Sequence, residues 1–62
     1  MKYFDDGKMV YITDYGTNGK VWSAIYAETG EPVVGIGTHV SKSLIDNRLA
    51  QMAKEKGWRS DK

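Results

Sequence analysis

A chain of 62 residues with no cysteine and a single histidine, His39, has to fold on side-chain packing alone. At that length a domain buries only about 60% of the surface its extended chain exposes, and many small domains add a disulfide or a structural metal. Disulfides are excluded here, and a zinc site would need one histidine plus carboxylates, a rare ligand set. Every large apolar side chain therefore matters, and the expectation is one small domain over residues 1–62.

Glycine-bearing turns set the spacing of the first half. Gly16-Thr17-Asn18-Gly19-Lys20 contains Asn-Gly, the pair most tolerant of the positive φ angles of a type I′ turn. Glu28-Thr29-Gly30-Glu31 is a second turn, and Pro32 after it suits the first residue of a strand. Around them lie runs rich in β-branched and aromatic residues, which predict strands at about 9–15, 21–27 and 33–37. Short connections pair consecutive strands antiparallel, as a meander. Asp6-Gly7 leaves two readings of the first residues: Tyr3-Phe4 as a fourth, very short strand turned back onto Met9 and Val10, or no strand there at all.

After Gly37 the hydrophobic period changes. Ile45, Leu49, Met52, Ala53 and Lys56 fall on one stripe and predict a helix over about 42–56. Ser43 with Asp46 three residues later reads as a capping box, with Ser41 as the alternative cap. Lys54 and Lys56 suit the last turn, and Gly57 suits the left-handed residue that ends a helix. Trp58 is then placed to fold back on Ala53 or Leu49, and residues 59–62 read as a flexible tail. The fold class is α+β: an antiparallel three-stranded meander packed by one C-terminal helix, β-β-β-α.

Strand alternation assigns the two faces. Val10, Ile12, Trp22, Ala24, Val34 and Ile36 form the best inward set, under Ile45, Leu49 and Met52. Tyr11, Tyr15, Val21, Ile25 and Val33 fall on the far side. A half-covered sheet normally turns polar residues to water, yet both faces here are substantially apolar and one helix shields one of them. The open face would expose a patch on the order of several hundred Å², the size at which apolar surface usually marks a partner. The expected function is a non-enzymatic protein-interaction module, a small regulator or inhibitor of the phage or mobile-element type. It would dock on another protein or on a second copy of itself through Tyr11, Tyr15, Val21, Ile25 and Val33, with Tyr11, Tyr15 and Ile25 central.

Catalytic chemistry is not expected. His39 has no cysteine or serine nucleophile in a recognisable spacing, and Ser41 and Ser43 are better explained as helix caps. Asp5-Asp6-Gly7 lacks the later acidic ligands of a calcium loop, and Gly35-Ile36-Gly37 lacks the third glycine of a phosphate-cradling loop. No cofactor, metal or small-molecule substrate is indicated. The absence of cysteine suits a reducing cytoplasm, no run approaches the roughly 18 apolar residues of a membrane span, and the first residues resemble no secretory signal. The expected location is cytoplasmic.

Charge divides the chain. Three lysines face five acidic residues up to Gly37, whereas six basic residues face three acidic ones from Thr38 onward. Nucleic acid is the alternative partner, held by Lys42, Arg48, Lys54 and Lys56 at the helical end, and weakly, because phosphate neutralisation sets such affinities. Two likenesses bear on it. Trp22-Ser23-Ala24-Ile25-Tyr26, then Thr29-Gly30, a strand and a helix, resembles the arm-binding domain of phage-type recombinases, which lays a three-stranded sheet into a DNA major groove. Gly35-Ile36-Gly37, then Ser41-Lys42-Ser43 opening an alanine-containing helix, resembles the end of a double-stranded-RNA-binding domain, where a lysine cluster at the helix start grips phosphates. The chain departs from the first in having no arginine or lysine between Trp22 and Ala27. It departs from the second in keeping only Lys42 of the basic cluster and lacking the first helix.

Overall fold

The computed structural model describes residues 2–14 and 21–61, the last through its backbone alone. It is an α+β fold: a four-stranded antiparallel sheet and one helix, in the order β1 (Lys2–Asp5), β2 (Lys8–Asp14), β3 (Trp22–Tyr26), α1 (Lys42–Lys56), β4 (Arg59–Asp61). The strands lie in the spatial order β3-β2-β1-β4. The helix therefore carries the chain from the β3 edge, across one face, to the β4 edge.

The Tyr3-Phe4 segment is a strand. Asp6 and Gly7, at φ 53° and 85°, supply the two successive positive φ angles of a tight hairpin turn, and Lys2, Tyr3, Phe4 and Asp5 pair with Tyr11, Val10, Met9 and Lys8. β2 then pairs with β3 from Val10↔Tyr26 to Asp14↔Trp22. Tyr15 and the Asn18-Gly19 turn lie outside the described residues.

The expected third strand at 33–37 is replaced by a folded-back turn. Gly35 and Gly37 take φ 96° and 75°, which no continuous pleat accommodates, and only Pro32 and His39 keep single bridges, to Ile25 and Trp22. The break reverses the expected facing: Val33 is 4% exposed and in the core, whereas Val34 is 90% exposed. A Cβ on Gly35 would stand 3.0 Å from Met52 Cε, so the turn presses against the helix.

The helix spans the expected residues, with Ile45, Leu49 and Ala53 buried in one stripe. Its cap is Ser41 rather than Ser43, with Ser41 in extended backbone and its Oγ accepting from Leu44 N at 3.3 Å. His39 holds the cap from behind, Nδ1 accepting from Ser41 N at 2.9 Å. At the other end Gly57 takes the left-handed conformation and Trp58 packs against the core. The packed Trp58 aims the next residues along β1, so 59–61 form β4 instead of a flexible tail, pairing Phe4↔Arg59, Tyr3↔Ser60 and Lys2↔Asp61. Their backbone groups gain partners that an unpaired β1 edge would lack.

The core lies between the sheet and the helix. Tyr3, Val10 and Ala24 meet Ile45, Leu49 and Ala53, with Val33 and Ile36 closing the side and Ile12, Trp22, Tyr26, Met52 and Trp58 packed around them.

Candidate interaction surface

Because Tyr3 and Val10 turn toward the helix, their strand neighbours turn away from it. Phe4, Met9, Tyr11 and Ile25 form this outer layer, each half-buried and none part of the core. Their order follows from register. One row reads Lys2, Tyr11, Ile25 across β1, β2 and β3, and the next reads Arg59, Phe4, Met9 across β4, β1 and β2. The far end of the face is closed. Ser23, opposite Thr13, is fully buried and its Oγ donates to Gly37 O at 2.8 Å.

The sheet edges differ. β3 is bonded along its outer side by the segment 31–39: Trp22 exchanges both backbone bonds with His39 at 2.7 and 3.0 Å, Val33 N donates to Ala24 O at 2.9 Å, and Tyr26 N donates to Glu31 O at 2.9 Å. β4, three residues long, is the opposite edge.

Of the expected partner-binding residues, Tyr11 and Ile25 are direct register partners on the outer face, and Val21 is half-buried just before β3. Tyr15 lies outside the described residues. Val33 belongs to the core, because the Gly35 turn points it inward. Phe4 and Met9 complete the layer and were missed as site residues; the Asp6-Gly7 turn signal, followed through, places Phe4 opposite Met9.

The helical cations do not converge. With about 100° of rotation per residue, Lys42, Arg48, Lys54 and Lys56 fall at roughly 0°, 240°, 120° and 320° around the axis. Two are also engaged: Lys42 Nζ lies 5.2 Å from the centroid of the Trp22 ring, and Arg48 Nη1 donates to Ile36 O at 3.0 Å.

Two open concavities of about 490 and 390 Å³ flank Trp58. Asp5 and Asp6 face Lys56 and Arg59 around the larger one, so it favours neither sign of charge. In the smaller one the Tyr26 hydroxyl donates to Asp5 Oδ2 at 2.8 Å. That bond, followed by burial and the carboxylate's charge, raises the Tyr26 phenol above its ordinary value. Among the described residues no cluster of three or more His, Cys, Asp or Glu is placed to hold a metal ion, and no helix is long and apolar enough to cross a membrane. Compared with protein-family models, curated proteins and solved structures, the chain finds no match.

Proposed function

We propose that the chain is a small non-enzymatic interaction module, in the manner of a regulator or inhibitor, whose working surface is the outer face of the sheet. The observation that supports it is the layer of Phe4, Met9, Tyr11 and Ile25, which lies outside the core on the side the helix does not cover. Aromatic and aliphatic side chains gathered on one face, with Lys2 and Arg59 set beside the rings, offer a partner apolar contact together with positive charge. Three of the side chains that could serve as bases or nucleophiles have structural tasks. His39 Nδ1 holds Ser41 N, Ser41 Oγ caps the helix and Ser23 Oγ is bonded inside the fold. A cysteine-free chain of this kind suits the cytoplasm.

The test compares capture of macromolecules, of any class, by immobilised wild-type chain and by Tyr11→Ser, Ile25→Ser and Lys54→Ala. The two face variants lose what the wild type captures, Lys54→Ala keeps it, and all melt within roughly 8 °C of the wild type, the shift that about 1 kcal/mol gives a domain of this size. Capture that survives both face variants, or a collapse of stability in Tyr11→Ser, overturns the reading.

A further inference from the structure

Among the described residues, each aromatic ring of the outer face stands directly across a strand pair from a cation. Tyr11 is opposite Lys2 in the β1–β2 register, and Phe4 is opposite Arg59 in the β1–β4 register. Directly opposed residues share a face with Cβ atoms about 4.5–5.5 Å apart. The two couples are offset by two residues along β1, about 6.8 Å. Both cations are exposed and both rings are half-buried. On the helix side Asp5 accepts from the Tyr26 hydroxyl. Asp61 is the register partner of Lys2 on its other side, and Phe4 is that of Arg59.

The geometry points to single-stranded nucleic acid as the ligand of this face, with successive bases stacking on Tyr11 and Phe4 and their phosphates meeting Lys2 and Arg59. The inference rests on the outer-face reading above and names the ligand class. A ring paired with a cation, repeated once along the strands, supplies the two terms on which sequence-tolerant single-strand binding depends, base stacking and phosphate neutralisation. A duplex keeps its base faces stacked inside the helix, where neither ring can reach them. A protein interface keeps its centre poor in charge and puts the cations at its rim, whereas here each ring has a cation at its side. Two cations make the binding weak and salt-dependent, with a slope of log K against log salt of about −1.4 for single strands.

Fluorescence anisotropy with dye-labelled oligo-dT, oligo-rU and a duplex of equal length, at low and at physiological salt, tests it. The single strands bind at low salt in preference to the duplex, with little regard for sugar type. Tyr11→Ala and Phe4→Ala each weaken binding roughly tenfold. Tyr11→Phe, which keeps the ring, binds as the wild type does, and unchanged far-UV circular dichroism of the two alanine variants shows that lost binding is not lost folding. Arg59→Ala flattens the salt slope by about 0.7, and Lys54→Ala leaves it unchanged. Absence of single-strand binding at low salt overturns the ligand class; if sedimentation then shows self-association that Tyr11→Ala abolishes, the face survives as a protein-docking surface. Binding that is lost in Lys54→Ala and kept in Tyr11→Ala overturns both the ligand site and the face.

Discussion

The Tyr26 hydroxyl donates to Asp5 Oδ2 at 2.8 Å, reaching across β2 to join the end of β3 to the end of β1. The bond needs the neutral phenol, so its contribution is complete below the ordinary tyrosine value near 10 and is lost as pH rises through the higher folded-state value. Stability measured by denaturant titration should therefore fall at alkaline pH, above about 10. Tyr26→Phe should cost about 1 kcal/mol at neutral pH, the usual net worth of such a bond, and flatten the alkaline fall. An unchanged alkaline profile in Tyr26→Phe would place the titrating group elsewhere.

The turn at 34–36 gives a sharper contrast between neighbours. Val33→Ala removes packed methyl groups and should cost about 2 kcal/mol. Val34→Ala, at a position 90% exposed, should stay within about 0.5 kcal/mol of the wild type. Equal costs at the two positions would restore a regular third strand.

Gly35→Ala should lose about 1–2 kcal/mol, because a Cβ is strained at φ 96° whatever its surroundings. The nearest atom, Met52 Cε at 3.0 Å, is the end of a flexible side chain and gives way cheaply. Shortening Met52 to alanine in the Gly35→Ala background should therefore not recover the loss. Thermal melts of the single and double variants decide between backbone strain and crowding.

Truncation after Trp58 should speed amide hydrogen exchange along β1, which loses its β4 neighbour, while exchange in β3 changes little. Uniform acceleration across the sheet would mean that β4 supports the whole fold and not one edge.

The helix was legible because its signals are local: the Ile45, Leu49, Ala53 stripe and Gly57 all fall within one stretch of chain. Val10, Ile12, Trp22 and Ala24 were likewise read correctly from alternation alone. What failed had non-local causes or rival local ones. Val33, Val34 and Ile36 have strand composition, but two glycines in the left-handed region outweigh it. Arg59-Ser60-Asp61 carries no strand signal of its own, and its structure comes from Trp58 packing and the vacant side of β1. For the same reason Tyr11 and Ile25 emerged from the pattern, whereas the Phe4–Arg59 couple did not. Its register joins residues at opposite ends of the chain.

The segment 31–39 that runs along β3 also limits what the sheet can become. Growth by strand addition needs two receptive sides, and this one has a single short side. Edge-to-edge association through the described strands closes on itself as a symmetric pair, so strand addition to the native sheet does not propagate into a fibril.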